Sequence, residues 1–453
     1  MLEPSAQIDA LLNGATVQPG NAGIQAMLER EPEFPNRLAA QLAGIAADPT
    51  ARALADQYLD TSWADEERRQ RLLQSSGSDR EVIIGSGCHA AVYAAVRVLS
   101  GYPRPLVLER GRRAGGTFAM TGRPTFYLNS RNRAGIAGLA GDLGASLNFL
   151  PGAPVQAANF SMAEYQTNAD LAFVIRLALA QYADVVTEAD VRAVAGDGNG
   201  LEIGMQGRSP LFAQRVIDAR GLGDPVDAGL ANGTTVVTFP QFMQRMAGPW
   251  PLRGVRRAAV IGGGDAGKCT VESLLGIAPA PQLAAAALDW VERIDWYADS
   301  LPATCDDWRD DIRGRYQAIG PYLRSDRYGV QRVFVQDRRA TPIAVPGAAL
   351  IEGRGYDLVV LCTGSAETLI DGIGPGAFDL YTAADGAPVA RKAYGLPVFR
   401  VGPHARLPIT VREEQNGVGD IDANAVSIFR LAAKTAALAA TLPSAAREAD
   451  RLA

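Results

Sequence analysis

The hydrophobic pattern of the chain changes abruptly at residue 81. Before it, short stretches of helical periodicity are broken by Pro and Gly, and a polar stretch at 75–79 follows them. After it comes Val82-Ile-Ile84, an apolar run typical of a buried strand. The pattern therefore predicts a helical N-terminal extension and linker over residues 1–79. We place its helices at residues 6–12, 23–28, 37–47, 52–58 and 64–73.

Further apolar runs recur along the chain, and several lead directly into small residues. They lie at residues 105–109, 216–223, 257–261, 293–298, 356–364 and 397–403. Short runs of this kind, alternating with helical segments, are typical of parallel strands in an α/β fold. The 48 glycines agree with a fold that is rich in tight turns.

The first strand leads into the turn Gly85-Ser-Gly87-Cys-His-Ala90, which opens a small-residue helix. In this G-x-G-x-x-A pattern Gly85 permits the tight turn and Gly87 lets a pyrophosphate approach backbone N–H groups. Ala90 lets the helix pack closely on the strand. The next strand ends in Glu109, 22 residues after Gly87, where a carboxylate accepts ribose hydroxyls. The pattern predicts a dinucleotide site.

Glu109 is followed by Arg110 and then by the doublet Gly115-Gly116, with Thr117 next. This run resembles the FAD site of glutathione-reductase-like and flavin-monooxygenase-like flavoproteins, in which Glu-Arg-x-x-x-x-Gly-Gly follows the second strand. The resemblance implies that FAD is the cofactor of the first glycine turn and that these five residues contribute to its binding. FAD is favoured over FMN because the turn serves an ADP half that FMN lacks.

A second motif, Gly262-Gly-Gly264-Asp-Ala-Gly267, lies between an apolar strand and a helix. It is a full G-x-G-x-x-G, so the same backbone physics predicts a second dinucleotide site. The resemblance implies NADPH or NADH there. The choice stays open, because Asp299 after the next strand favours NADH, whereas later arginines favour the 2′-phosphate of NADPH. These arginines are Arg309, Arg313 and Arg315.

The remaining strands complete the layout of a flavoprotein with two dinucleotide-binding domains. Segments 216–223 and 356–364 resemble the strands on which such chains pass between domains. Segment 397–403 resembles the last flavin-contacting strand, with Gly402 in its turn and Pro403 in place of the usual Asp. The resemblance implies an α/β fold with two Rossmann-like domains, FAD- and NAD(P)-binding, the second inserted in the first. The predicted bounds are 80–250 and 366–453 for the FAD domain, the latter with a helix at about 423–441, and 251–365 for the NAD(P)H domain with an insertion at 300–328.

The charge and hydropathy of the chain limit the classes of binding partner that we expect. A net charge of −5 gives no reason to expect nucleic acid or an anionic membrane surface. No apolar run approaches the ~18 residues of a spanning helix, and the N-terminal stretch lacks the basic region of a secretory signal. We therefore expect a cytoplasmic protein without nucleic-acid or membrane partners, and a homo-oligomer stays open. Two histidines are too few to suggest a histidine metal site.

The cysteines show no redox spacing. None of the four stands as C-x-x-C or C-x-x-x-x-C. We therefore expect no dithiol beside the flavin, although a pair formed in space keeps a disulfide reductase open. The four are Cys88, Cys269, Cys305 and Cys362.

Residues 239–251 resemble a motif, F-x-G-x-x-x-H-x-x-x-(W/Y/F), that precedes the second glycine turn in several class B flavin-dependent monooxygenases. Phe239 matches, Gln241 and Arg245 stand where Gly and His would be, and Trp250 is one place late. The placement implies Arg245 as a catalytic candidate. His404 is the other candidate, since a histidine near the flavin can move a proton at neutral pH. The alternative for His404 is a structural role.

Together these features predict an NAD(P)H-dependent flavin monooxygenase that uses O2 and a small-molecule substrate. The resemblance is to the N-hydroxylating and flavin-containing types. N-hydroxylating enzymes carry a substrate-side insert at a point similar to 300–328, which favours a polar amine or amino-acid-like substrate. Two alternatives stay open. One is an NAD(P)H reductase that passes electrons to a quinone, a ferredoxin or a disulfide, and the other is a non-catalytic, redox-responsive flavoprotein.

Overall fold

The computed structural model of the chain describes residues 49–74, 80–99, 102–119, 127–131, 165–196, 200–248, 251–277, 291–298, 314–323, 332–382, 386, 388–405 and 407. Several predictions fall outside these residues. They are the helices before residue 49, Trp250, Asp299, Cys305, Arg309, Arg313, most of the insertion and the helix at 423–441. Arg315 lies in a short 3-10 helix, Gly314–Leu323, of which only the backbone is described at that position.

The α-helices of the described ranges are Pro49–Ala64 (α1), Glu66–Gln74 (α2), Cys88–Leu99 (α3), Asn168–Tyr182 (α4), Phe239–Met246 (α5) and Asp265–Leu275 (α6). The strands up to residue 218 are Glu81–Ile84 (β1), Leu106–Leu108 (β2), Tyr127–Arg131 (β3), Tyr165–Thr167 (β4), Asp184–Val186 (β5), Val191–Gly196 (β6), Leu201–Met205 (β7), Leu211–Ala213 (β8) and Arg215–Asp218 (β9). The later strands are Asp224–Pro225 (β10), Val236–Thr238 (β11), Arg257–Ile261 (β12), Arg293–Tyr297 (β13), Val333–Gln336 (β14), Ile343–Val345 (β15), Ala348–Ile351 (β16), Arg354–Tyr356 (β17), Leu358–Leu361 (β18), Ser365–Ala366 (β19), Phe378–Thr382 (β20), Pro388–Ala393 (β21) and Val398–Arg400 (β22).

The chain divides into two compact units. The first comprises residues 1–120, 132–221 and 369–453, and the second comprises residues 121–131 and 222–368. The second unit thus includes residues 222–250, which lie before the predicted boundary at 250/251. The reason is β11, which pairs in parallel with β18 of the second unit and so draws the segment after residue 221 into that unit.

The first unit is built on a seven-stranded sheet in the order β20-β21-β22-β9-β1-β2-β5. The five strands from β22 to β5 are parallel, and the hairpin of β20 and β21 adds an antiparallel edge. Strand β1 is buried along its whole length, as its Val-Ile-Ile sequence predicts for a strand covered on both faces. An antiparallel meander, β6-β7-β8, connects β5 to β9.

Helices α1 and α2 belong to the first unit, and their bounds correct the sequence prediction. We predicted helices at 52–58 and 64–73, whereas α1 runs on to Ala64. Its apolar stripe explains the difference, because Ala55, Leu59 and Trp63 follow one another at intervals of four and are all buried. Among the described helices, none is both long and apolar enough to cross a lipid bilayer.

The second unit repeats the design of the first. Its five parallel strands lie in the order β11-β18-β12-β13-β14, and a three-stranded antiparallel sheet, β15-β16-β17, connects β14 to β18. Strands β12 and β18 are almost entirely buried, and Phe242, Met243 and Leu274 pack from α5 and α6 in the same apolar cluster. The predicted α/β class with two Rossmann-like sheets is confirmed.

Candidate functional site: two glycine turns

The first glycine turn joins β1 to α3 at the carboxyl end of the parallel strands. Gly85 has φ +94°, and its N–H donates to the carbonyl of Leu108 at 2.8 Å. A Cβ at Gly85 would lie 3.0 Å from the carbonyl oxygen of Ala219, so only glycine fits. A Cβ at Gly87 would meet only the Cα of Gly116, at 3.9 Å. The space beside Gly87 is therefore open where the predicted pyrophosphate would lie.

Ser86 connects three parts of this turn. Its hydroxyl donates to Glu109 Oε2 at 2.5 Å and accepts from the N–H of Gly115 at 3.0 Å. The other oxygen of Glu109 accepts from the N–H of Gly111 at 2.7 Å. The carboxylate at the end of β2 is thus held beside the glycine turn. In the motif G-x-G-x-x-A, Ser86 occupies a variable position, so the sequence pattern assigned it no role. Its hydroxyl group was the one feature of the sequence that pointed to hydrogen bonding there.

The glycine doublet lies against the first turn. A Cβ at Gly116 would lie 2.7 Å from the Cα of Gly87. A Cβ at Gly115 would lie 2.6 Å from the Cβ of Ala119 and 3.1 Å from the Cγ of Arg176. The structure therefore brings together five of the predicted FAD residues: Gly85, Gly87, Glu109, Gly115 and Gly116. Ala90 is buried in α3 as predicted, whereas Arg110 and Thr117 have exposed side chains.

Gly402 and His89 meet at the start of α3. Gly402 has φ +82°, and a Cβ there would lie 3.1 Å from His89 Nδ1. His89 is buried, and its Nε2 has no hydrogen-bond partner among the described residues. Burial lowers the pKa of His89 to about 4, because the low-dielectric surroundings disfavour the imidazolium. His404 is partly buried in the 3-10 helix Pro403–Ala405.

A buried ion pair joins the strand ends beside Gly402. Asp218 ends β9 and accepts from Arg400 Nε of β22 at 3.0 Å and from Arg220 Nε at 2.8 Å. Burial by itself raises the pKa of Asp218, but the two guanidinium groups outweigh it and hold that pKa below its usual range. Sequence reasoning missed this pair, because its members are 182 residues apart.

The second glycine turn joins β12 to α6 and repeats the first. Gly262 has φ +124°, and its N–H donates to the carbonyl of Tyr297 at 2.9 Å. A Cβ at Gly262 would overlap the carbonyl of Cys362, and one at Gly267 would overlap the carbonyl of Gly262. Gly264 precedes α6 and has nothing within 4 Å of its Cβ position. The outer glycines therefore allow close packing, and Gly264 leaves open space at a helix N-terminus.

The two departures from the monooxygenase motif both have local structural roles. Gln241 accepts a hydrogen bond from the N–H of Thr238 at 2.9 Å and so caps the start of α5. Arg245 donates from Nε to the carbonyl of Pro251 at 2.7 Å and from Nη1 to the carbonyl of Thr234 at 3.2 Å. Arg245 thus ties α5 to two backbone segments of its own unit. A catalytic role for Arg245 stays a prediction.

The described cysteines are buried free thiols. They are Cys88, Cys269 and Cys362. Burial raises the pKa of Cys362 to about 12, and its sulfur lies 3.3 Å from the hydroxyl of Thr270. Because the thiolate is the reactive form, this raised pKa disfavours thiol–disulfide exchange at Cys362 at neutral pH.

Comparison with known proteins places this geometry in a fold. No protein-family model matches the sequence. No curated protein shows significant sequence similarity to it. Among solved structures, bacillithiol disulfide reductase from Staphylococcus aureus is similar over 80% of this chain and 98% of its own, with 12% identity and a TM-score of 0.50. A flavin monooxygenase from Stenotrophomonas maltophilia covers 80% and 97%, with 18% identity and a TM-score of 0.49. An ornithine N-hydroxylase from Kutzneria sp. 744 covers 80% and 100%, with 16% identity and a TM-score of 0.48.

At these identities the likeness concerns the fold, and it rests on the first of the three. Over this length the chain shares the fold of the bacillithiol disulfide reductase, in agreement with the two Rossmann-like sheets described above. Activity does not follow from fold, so the function has to be argued from the site.

Proposed function

We propose that this protein is an FAD-dependent NAD(P)H oxidoreductase, and that it acts as a monooxygenase on a small molecule with O2 as the second substrate. One observation carries the proposal. The chain contains two strand-turn-helix sites in which the middle glycine, Gly87 or Gly264, leaves open space at a helix N-terminus. Backbone N–H groups at such a position bind pyrophosphate.

The residues of the first turn fit the ADP half of FAD. A pyrophosphate beside Gly87 would accept from the first N–H groups of α3, which have no partners within the helix. Glu109, which Ser86 and Gly111 hold in place, would accept the ribose hydroxyls. The cradle beside Gly87 is one that a Cβ would fill.

The second turn fits a nicotinamide dinucleotide by the same criteria. Its pyrophosphate would lie beside Gly264, at the N-terminus of α6. FAD, when bound, supplies the two-electron chemistry that takes a hydride from such a cofactor. The contribution of the two turns is to bind and orient the two dinucleotides. Both NADH and NADPH are retained as candidates.

The state of the thiols favours oxygen over a disulfide as the electron acceptor. Cys362 and Cys269 lie in the second unit, and burial keeps the Cys362 thiol protonated. Cys88 is buried at the first residue of α3. The roles of Gln241 and Arg245 further argue against an ordinary Baeyer–Villiger enzyme and favour the N-hydroxylating or flavin-containing type. A polar amine or amino-acid-like substrate is proposed on the resemblance alone.

The test is a spectroscopic titration of the FAD-loaded protein. NADH or NADPH is added without oxygen and the bleaching of the flavin absorbance is followed, after which O2 and a panel of amines are admitted. We expect bleaching by one nucleotide, followed by oxygen consumption stoichiometric with an oxygenated amine. Electron transfer to a quinone, a ferredoxin or a disulfide without oxygenated product would show the reductase instead. Bound FAD that neither nucleotide reduces would show a non-catalytic flavoprotein.

A further inference from the structure

The segment from Glu109 to Gly116, here called the nucleotide loop, is held by side chains from outside the glycine turn. Arg176 of α4 donates from Nη1 to the carbonyl of Ala114 at 2.9 Å. The Cγ of Arg176 also lies 3.1 Å from the Cβ position of Gly115. Arg176 therefore touches the loop immediately before the glycine that packs against Gly87.

Arg176 is a buried charge whose counter-ions come from α1. Its Nε donates to Asp56 Oδ1 at 2.8 Å and its Nη2 donates to Asp60 Oδ1 at 2.7 Å, while the side chain is only 1% exposed. The guanidinium also stacks over the ring of Trp63, 5.1 Å from its centroid. A buried guanidinium without counter-ions is strongly unfavourable, so the position of Arg176 depends on α1.

Arg113 makes a second connection from α1 to the nucleotide loop. It lies within the loop, and its guanidinium lies 3.3 Å from Asp56 Oδ2 and 3.6 Å from Asp60 Oδ1. The carboxylates of Asp56 and Asp60 therefore contact both Arg176 of α4 and Arg113 of the nucleotide loop.

Helix α2 holds the other end of the loop. Arg69 donates to Thr187 Oγ1 at 3.1 Å and pairs with Glu188 Oε2 at 2.8 Å. The N–H of Glu188 in turn donates to the carbonyl of Gly111 at 3.0 Å. Arg69 is itself buried and also donates to the carbonyl of Trp63 at 2.8 Å, which links the two helices.

We propose that α1 and α2 form a brace that sets the nucleotide loop in the conformation that accepts the ADP part of FAD, with Arg176 as the positioning residue. The inference rests on the proposed FAD site. The loop forms one wall of the cradle, since Gly116 touches Gly87 and Glu109 is held through Ser86. Movement of Ala114 away from Arg176 would shift Gly115 and Gly116 and so change the width of the cradle.

The test compares variants of the full chain. Asp56→Asn with Asp60→Asn removes both counter-ions and preserves side-chain volume. Arg113→Gln is a milder second variant that leaves the buried Arg176 paired. The matched control is Asp379→Asn on β20, at the opposite edge of the sheet from β5, which removes a carboxylate that accepts a hydrogen bond from the hydroxyl of Tyr394. The Kd values of FAD and of ADP are measured on each apoprotein by titration, and folding is checked by circular dichroism and Tm.

We expect the Kd values of FAD and ADP to rise together, by about tenfold in the double variant, because charge-assisted hydrogen bonds hold the loop. Arg113→Gln should give a smaller rise of the same kind, and the control should bind as the wild type does. A change in Tm with unchanged Kd values would overturn the brace and leave a purely structural contact. If the double variant does not fold, Arg113→Gln decides, and an unchanged Kd there overturns the proposal. Wild-type protein that binds no FAD would defeat the proposed function and the brace with it.

Discussion

At the residue scale, the glycines of the two motifs have two different structural roles. Gly262 and Gly267 lie where any Cβ would overlap a backbone carbonyl, so they are required by packing. Gly87 and Gly264 have open space at the Cβ position, and Gly264 has extended backbone angles that any residue adopts. The middle glycines are therefore required only if a ligand occupies that space.

This difference makes valine at the middle glycines a selective probe. We expect Gly87→Val to fold but to lose FAD, with a Kd raised at least about a hundredfold, because the side chain occupies the pyrophosphate path. Gly264→Val should keep FAD, stay reducible by dithionite, and respond poorly to NADH and NADPH. Flavin content, nucleotide Kd and apoprotein Tm are the measurements. If Gly264→Val loses FAD and keeps nicotinamide binding, the two sites are assigned in reverse.

The buried His89 predicts a specific dependence of stability on pH. Its pKa of about 4 lies below the unfolded value of about 6.5, so the unfolded chain binds more protons between those pH values. The free energy of unfolding is therefore highest above pH 6.5, where His89 is neutral in both states, and it decreases as the pH falls towards 4. From pH 7 to pH 5 the loss due to His89 should be about 2 kcal/mol.

Urea unfolding of the apoprotein at pH 7 and pH 5 measures this loss. His89→Gln should show a smaller decrease in the free energy of unfolding than the wild type. The chain has one other histidine, so His404→Gln is the matched control and should keep the wild-type decrease. Equal decreases in all three proteins would contradict the assignment to His89.

At the scale of elements, the described cysteines are placed for packing. Cys269 is buried in α6 and Cys362 follows β18, where its thiol contacts Thr270 of α6. The Cys362 thiol therefore lies at the contact between β18 and α6. Such thiols act as small apolar side chains with a weak donor.

Replacing all four cysteines by Ala or Ser should leave NAD(P)H-driven flavin turnover within a few-fold of wild type. The expectation rests on the absence of a C-x-x-C or C-x-x-x-x-C spacing and on burial, which raises the pKa of the Cys362 thiol to about 12 and so disfavours the reactive thiolate. Stopped-flow reduction and steady-state turnover of the FAD-replete variant are the measurements. A folded variant that holds FAD but does not turn over would restore the disulfide-reductase alternative.

At the scale of the whole molecule, four parallel strands have the same order in the two units: β9-β1-β2-β5 in the first and β18-β12-β13-β14 in the second. The strand that precedes the glycine turn, β1 or β12, is the middle one of the five parallel strands in each unit, and the turn lies at its carboxyl end. A three-stranded antiparallel sheet comes directly before β9 in the first unit and before β18 in the second. Under the proposed function, each unit binds one dinucleotide at its glycine turn.

Amide hydrogen exchange should show each ligand protecting its own unit. FAD should slow exchange in residues 82–91 and 109–116, and NADP⁺ or NAD⁺ should slow exchange in residues 261–268, because a ligand stabilises the state that it binds. Mass spectrometry of peptides from the intact protein measures this. Gly87→Val should abolish only the first pattern. Protection of residues 261–268 by FAD would contradict the assignment.

What the sequence determined by itself was local. The strand-turn-helix segments around Gly85 and Gly262, the acid at Glu109 and the α/β class were all predicted, because a few adjacent residues set each turn and each apolar run. The predicted bounds of α1 were wrong, since the end of that helix depends on the packing of Trp63 in the tertiary structure.

Tertiary structure alone decided how these pieces act together. Ser86 meets Glu109 across 23 residues, and Arg176 meets Asp56 across 120. Arg245, a catalytic candidate by motif, forms hydrogen bonds with the backbone of its own unit. No local sequence pattern encodes such pairs. A polar side chain in a helix or loop looks the same in the sequence whether its hydrogen-bond partner is water or a distant residue. Burial makes the difference, since a charge removed from water must find its counter-ion wherever the fold places one.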